Sequence, residues 1–361
     1  MVNLIVGTRP NLIKIAPICA ELKKRNLPFT ITHTGQHFDS NMSKVFFDKL
    51  NIPEPNINLG VSGFNEVGTV STIMVRLDNY YQNNRPSSVL VVGDVNSTLA
   101  ASIVAAKNNI PLIHVEAGLR SNVINQTEEQ NRVVSDHLAN ILFPTTESSK
   151  QNLISEGLQN IFLVGNTMID SLLNNYDLYK NNHFYINQNL QENEYIVCTI
   201  HRPENTNSKK KLSKIFENIN LLSHKIKIIL PLHPRTKLYL QDYNIAISPK
   251  VHVIDPIDYI KFMNLVFHSR GVISDSGGIQ EESHYLKKPC LTIRDFTERN
   301  ESINTGINIL VKEDMYDNIF DLSMKHFWKE FNEIEIPNKW DGKASQRIID
   351  ILIDNNDIKF I

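Results

Sequence analysis

Gly271-Val272-Ile273-Ser274-Asp275-Ser276-Gly277-Gly278-Ile279-Gln280-Glu281-Glu282 decides the fold. A short β-branched apolar run ends on small polar residues, and a segment of helical composition follows directly. That is the reading of a buried strand feeding a helix, the repeating half of a βαβ unit. Val89-Leu90-Val91-Val92-Gly93-Asp94-Val95-Asn96-Ser97-Thr98 reads the same way, as does Val2-Asn3-Leu4-Ile5-Val6-Gly7-Thr8-Arg9-Pro10. Working outward, short apolar runs recur at 2–6, 29–33, 89–92, 112–115, 141–143 and 161–164, with helical stretches between them. A second series stands at 195–199, 227–230, 251–254, 271–274, 290–293 and 309–311. Such alternation predicts parallel sheets covered by helices on both faces.

The chain has 361 residues, enough for two domains. Two doubly wound, Rossmann-like domains are expected, at 1–170 and 171–361, facing each other across a cleft. The boundary falls in a polar, Asn- and Tyr-rich stretch, and a last helix at 344–355 is free to dock on either half. Ligands of doubly wound sheets bind outside the carboxyl ends of the strands, which puts the expected site in the cleft.

Hydrophobic residues make up 41% and charged residues 21%, which excludes a disordered or collagen-like chain. The 37 basic and 39 acidic side chains nearly cancel, so no global field favours nucleic acid or an anionic membrane. No apolar stretch approaches the roughly 20 residues that span a bilayer. Cys19, Cys198 and Cys290 are too few and too scattered for a disulfide framework or a zinc site, and a reducing, cytoplasmic setting is expected. His33 and His37 stand four apart, but Thr34-Gly35 between them favours a turn over a metal-binding helix face.

The chemistry-bearing residues gather at strand ends. Ser276, Gly277 and Gly278 open a helix whose first N–H groups suit a phosphate, although an ordinary N-cap with close packing explains the same residues. Glu282, one turn further, is placed to reach a ribose hydroxyl. Arg9 and Lys14 lie near another helix start, an unfavourable place for cations unless an anion joins them. Asp94 reads equally as an Asx-turn residue. Glu116 directly ends an apolar strand, where a carboxylate is normally paired or functional. Glu128 also fits a solvated first-turn acid. His201 and His233 sit in loops after strands.

Taken together, the chain resembles the non-hydrolysing UDP-N-acetylglucosamine 2-epimerase family, whose fold is of glycosyltransferase-B type. The resemblance runs through Gly7-Thr8-Arg9-Pro10, His33-Thr34-Gly35-Gln36-His37-Phe38-Asp39, Gly93-Asp94-Val95-Asn96-Ser97-Thr98, His114-Val115-Glu116-Ala117-Gly118-Leu119-Arg120 and Glu128-Glu129-Gln130-Asn131-Arg132. It continues through Gly165-Asn166-Thr167-Met168-Ile169-Asp170, His201-Arg202-Pro203-Glu204-Asn205, the stretch quoted first, and Arg294-Asp295-Phe296-Thr297-Glu298-Arg299. It implies that Arg9, His201, Ser276, Gly277, Gly278 and Arg299 hold the diphosphate of a UDP-sugar. Glu282 would take the ribose, and Phe262 would lie beside the uracil. Asp94, Glu116 and Glu128 would be the acid/base set, with His201 assisting catalysis and Lys14 in the substrate site.

The implied reaction interconverts UDP-GlcNAc and UDP-ManNAc, with neither metal nor redox cofactor, in a cytoplasmic homodimer making cell-surface polysaccharide precursors. Two departures stand out: Asn11 replaces the glutamate usual after Gly-Thr-Arg-Pro, and Gln126-Thr127 replaces Met-Pro before the paired glutamates. The early His-Thr-Gly-Gln-His block is shared with relatives acting on deoxy or diacetamido uronic sugars, an alternative substrate class. A glycosyltransferase of the same fold and a non-catalytic UDP-sugar sensor are the rivals from other classes.

Overall fold

In the computed structural model, residues 1–35, 50–331 and 333–355 are described. The Gln36-His37-Phe38-Asp39 part of the early block, and with it His37, lies outside them. Met1–Asn174, together with the segment that begins at Pro337, forms one compact unit, and Asn175–Ile336 forms a second.

The first unit is built on β1 (Val2–Val6), β2 (Phe29–His33), β3 (Ile57–Asn58), β4 (Ser88–Val92), β5 (Leu112–Ala117) and β6 (Ile141–Pro144). All are parallel, in the order β3-β2-β1-β4-β5-β6. The second carries β7 (Tyr195–Thr199), β8 (Lys227–Pro231), β9 (Val251–Ile254), β10 (Gly271–Ser274), β11 (Cys290–Ile293) and β12 (Asn308–Val311). Its order, β12-β11-β10-β7-β8-β9, repeats the first and is also parallel throughout. The two doubly wound, Rossmann-like units expected from the sequence are therefore present. The connection reverses direction between β1 and β4 in one sheet and between β7 and β10 in the other. Such reversals open the crevices where ligands sit in folds of this class.

β1 and β4 are buried along their whole length, which is why they read as largely apolar runs, and the one polar residue inside β1, Asn3, donates to Thr32 Oγ1 at 3.0 Å. The alanine-rich helix Asn96–Lys107 packs closely on this sheet, with Ala100, Ala101 and Ala105 fully buried. Cys19, Cys198 and Cys290 are buried free thiols.

One local expectation is corrected, and two further features were not read from the sequence. The run at 161–164 does not form a strand: Ile161 makes one isolated bridge to Leu142. Its partner strand stops at Pro144, which has no N–H to extend a ladder. The two-residue β3 was missed because it is too short to show a period. The polar stretch after 174 carries two short helices, Tyr176–Lys180 and Phe184–Asn187. Tyr176 and Tyr179 meet Phe267 at ring-centroid distances of 5.7 Å, so aromatic contacts dock this stretch on the helix Tyr259–His268.

The closing helix Ala344–Asp354, which the sequence leaves free to dock on either half, belongs to the first unit. Asp170, itself buried, accepts the N–H of Ala344 at 3.1 Å and both the N–H and Oγ–H of Ser345 at 2.7 Å. A remote carboxylate thus caps this helix and meets its positive end. Trp340 donates its indole N–H to the carbonyl of Thr145 at 3.0 Å. Asp170→Ala strands two buried backbone donors and is expected to destabilise the first unit by about 2–4 kcal/mol. Urea unfolding followed by Trp fluorescence measures it.

Candidate active site

In the first unit the reversal between β1 and β4 gathers two loops. β1 runs into Gly7, whose space is closed by the side chains of Ser97 and Thr34, so no larger residue fits. Thr8 then caps the helix Arg9–Lys24, placing Arg9 and Pro10 in its first turn. Asn11, the departure noted above, has a definite place. Its Oδ1 accepts from Thr8 N at 3.1 Å and Thr8 Oγ1 at 3.0 Å, while its Nδ2 donates to the carbonyl of Val92 at 3.0 Å. It ties the first loop to the end of β4. Arg9 remains half-buried.

Gly93 follows β4 at φ +70°, a conformation that favours glycine. A Cβ there would lie 3.1 Å from Glu116 Oε2 and 3.2 Å from Lys14 Nζ, so this turn is the floor on which both groups rest. Glu116 is 5% exposed and ion-paired with the buried Lys14. Its own φ is +69°, and the register of β5 against β6 shifts between Val115 and Ala117. A glutamate in the left-handed region, at a bulge, with a buried charge is an energetically costly arrangement of the kind that concentrates at functional sites.

Asp94 pairs with Arg132, and Asn131 donates to the Asp94 carbonyl at 2.9 Å. Both partners lie on the helix Thr127–Leu138. Of the adjacent glutamates in its first turn, Glu129 is committed to structure, accepting the N–H groups of Ser121 at 2.9 Å and Asn122 at 3.0 Å. Glu128 precedes it and is half-buried. Behind the turn, His114 contacts Gly93 O at 2.9 Å and Asp136 Oδ1 at 2.7 Å, with no exposure. Burial alone would raise the Asp136 carboxyl, but the His114 ring and the Arg120 guanidinium hold it below its usual range.

In the second unit, the reversal between β7 and β10 gathers another cluster. Asp275, fully buried after β10, accepts from the N–H groups of His201 at 3.0 Å and Arg202 at 2.8 Å and from Asn205 Nδ2 at 3.1 Å. It also holds His201 Nδ1 at 2.9 Å, which turns Nε2 away from it. Burial would raise Asp275, yet the His201 ring and these donors keep it below the carboxylate range. The His201 side chain is 39% exposed, with the His233 ring tilted against it at a centroid distance of 5.6 Å.

Ser276 is the N-cap of the helix Gly277–Tyr285, with no capping bond from its side chain. Beside Gly277 stand two guanidiniums: a Cβ there would be 3.2 Å from Arg299 Nη1 and 3.7 Å from Arg294 Nη1. Arg299 is buried and pairs with Glu298 and, at 3.2 Å, with Glu281. Arg294 pairs with Glu298 as well, at 3.4 Å, so both guanidiniums stand beside the positive end of the helix with carboxylates as partners. Glu282 is also buried, and Tyr259 donates to its Oε1 at 2.8 Å. Burial pushes the Glu282 carboxyl up to about 8, with the Tyr259 hydrogen bond opposing and the Glu281 charge adding to the shift. Phe262 is half-buried on the helix that Tyr259 begins.

The structure thus brings Lys14, Glu116 and the Gly93–Asp94 turn together in the first unit. In the second it brings Ser276, Gly277 and Arg299 together at one helix start. Sequence reading missed Asp275, Arg132, Arg294 and Tyr259. Asp275, Arg132 and Arg294 lie inside quoted motifs, so adjacency could have flagged them. Among the described residues no group of three or more His, Cys, Asp or Glu is placed to hold a metal ion, and no helix is long and apolar enough to cross a membrane.

Parallel units with polar clusters at both reversals define a two-unit α/β protein of the glycosyltransferase-B-like class. The family model described as UDP-N-acetylglucosamine 2-epimerase matches residues 20–353, and the chain belongs to that family. It is 38% identical to the UDP-N-acetylglucosamine 2-epimerase of Methanocaldococcus jannaschii, over 97% of this chain and 98% of that one. It is 36% identical to the UDP-2,3-diacetamido-2,3-dideoxy-D-glucuronate 2-epimerase of Pseudomonas aeruginosa, over 85% and 87% respectively. A crystal structure of the Methanocaldococcus jannaschii UDP-GlcNAc 2-epimerase, in complex with UDP-GlcNAc and UDP, superimposes with a TM-score of 0.90 at 36% identity, covering 98% of this chain and 99% of that one.

Proposed function

We propose that this chain is a non-hydrolysing 2-epimerase that interconverts UDP-GlcNAc and UDP-ManNAc. The observation that carries the reading is Glu116, a buried carboxylate of β5 at φ +69°, held by Lys14 beside the Gly93–Asp94 turn. A proton on C2 of the sugar is not adjacent to a carbonyl and is too weakly acidic for a side chain to remove. The anomeric C1–O bond must break first, its electron pair leaving with UDP. Positive charge at C1 then acidifies the C2 proton, and a carboxylate accepts it. The products are bound UDP and a 2-acetamidoglucal.

Return of a proton to C2 from the opposite face, with re-addition of a UDP oxygen to C1, completes the inversion. Asp94, Glu116 and Glu128 serve collectively as the acid/base set. Ser276, Gly277, Gly278, Arg299, Arg9 and His201 stabilise the departing diphosphate, a task suited to fixed charges shielded from water. Lys14 pairs with Glu116 in the substrate site, Glu282 takes the ribose and Phe262 lies beside the uracil. The reading further takes the enzyme as a cytoplasmic homodimer serving cell-surface polysaccharide synthesis.

The Pseudomonas relative favours a second reading, in which the sugar is a diacetamido uronic acid and the chemistry is unchanged. Incubation in heavy water over a panel of UDP-sugars tests both. UDP-GlcNAc is expected to gain deuterium at C2 and yield the manno epimer, by NMR. Exchange confined to the diacetamido uronate would select the second reading. Binding without exchange of any sugar would leave a sensor or a transferase awaiting an acceptor.

A further inference from the structure

Tyr259 has no role in the epimerisation described above, yet its hydroxyl is spent on the one carboxylate assigned to the ribose. It opens the helix Tyr259–His268, whose start is fixed by Asp258 accepting the N–H of Lys261 at 3.0 Å. From there it donates to Glu282 Oε1 at 2.8 Å, and both side chains are buried. Phe262 follows three residues later and therefore lies on the same face of the helix. One short helix thus carries both the residue assigned to the base and the residue that touches the ribose-binding carboxylate.

A buried carboxylate without a donor rotates and takes up a proton. A donor fixed on one oxygen sets its plane and leaves the other oxygen to accept. Resting on the assignment of Glu282 to the ribose, we propose that Tyr259 is a positioning residue that aims Glu282 and so sets the preference for a ribose bearing its 2′-hydroxyl. The direction of the Glu282 shift agrees: burial drives its carboxyl up, and the Tyr259 hydrogen bond is the contact that opposes it.

Isothermal titration calorimetry of the full chain with UDP and with 2′-deoxy-UDP, at pH 8.5, tests this. Wild type is expected to bind UDP about tenfold or more tighter than 2′-deoxy-UDP, the size of one well-made hydrogen bond to a charged group. Tyr259→Phe is expected to shrink that ratio to about threefold or less while leaving 2′-deoxy-UDP binding nearly unchanged, because only the contact to the hydroxyl weakens. Glu282→Gln and the double variant should show the same small ratio, with no further loss. A wild-type ratio in Tyr259→Phe, or a further fall in the double variant, overturns the proposal while the ribose assignment stands. Equal binding of both nucleotides by wild type overturns the assignment of Glu282 and the proposal with it. Should Tyr259→Phe not fold, Tyr259→His retains a ring N–H donor: a ratio well above that of Glu282→Gln supports the proposal, and an equal ratio overturns it.

Discussion

Glu116→Gln is expected to lower C2 hydrogen exchange and epimerisation by about 10³-fold, within the range general acid–base groups contribute, while UDP binding stays within about twofold of wild type. The substitution is nearly isosteric, so the unusual backbone at φ +69° and the bulge in β5 are not forced to change. What it removes is the negative charge that Lys14 neutralises. The buried ammonium is then left facing a neutral amide, and a measurable loss of stability accompanies the loss of turnover. Single-turnover exchange in heavy water, read beside calorimetric UDP binding, separates these effects. Exchange at wild-type rate would remove Glu116 from the acid/base set.

The second large effect concerns pH and stability. Glu282 in the folded chain is raised to about 8, above the carboxylate's ordinary value of 4.5, because it is buried. A folded value above the unfolded one means that the folded state holds a proton the unfolded state has released. Stability from this group is therefore fully present below pH 4.5 and is lost as pH rises through 8. The full loss is roughly 3–5 kcal/mol.

Other groups slope differently. His284 and His326 are lowered by burial and favour folding as pH rises, whereas Asp136 and Asp275 act only at acid pH. The difference between Glu282→Gln and wild type isolates the effect. Glutamine still accepts from Tyr259, and the variant is expected to gain on wild type steadily between pH 5 and 9 in urea unfolding. Its UDP affinity falls at the same time, so a residue that binds ligand here costs stability. A difference flat with pH would show that Glu282 is not held protonated.

How far the sequence revealed this molecule depended on the kind of signal. β4 and the Gly93–Asp94 turn were legible because a run buried on both faces must be apolar, and the turn after it must be small and polar. The helix start at Ser276 was legible for the same reason. The importance of Glu116 could be inferred from a charge at the end of an apolar strand. Its left-handed backbone could not, because glutamate carries no mark of that conformation. Glu282 drew notice through its spacing from the glycines, but Tyr259 lies 23 residues away on another helix, and only the fold joins them. The strand expected at 161–164 failed because apolar composition says nothing of whether the neighbouring edge can still accept a partner. Which half takes Ala344–Asp354 stayed open in the sequence for a similar reason: its cap, Asp170, is supplied from 174 residues earlier.

That cap bears on how the polypeptide is made. Since residues from Pro337 onward complete the first unit, the Asn175–Ile336 body is an insertion within it and is fully synthesised before the unit that began first. On the ribosome, the early sheet must wait for its closing helix until the segment from Pro337 onward has been made. A nascent chain halted after Ile336 would carry every residue of the later body and leave the earlier one unfinished, so the N-terminal unit is the last to mature.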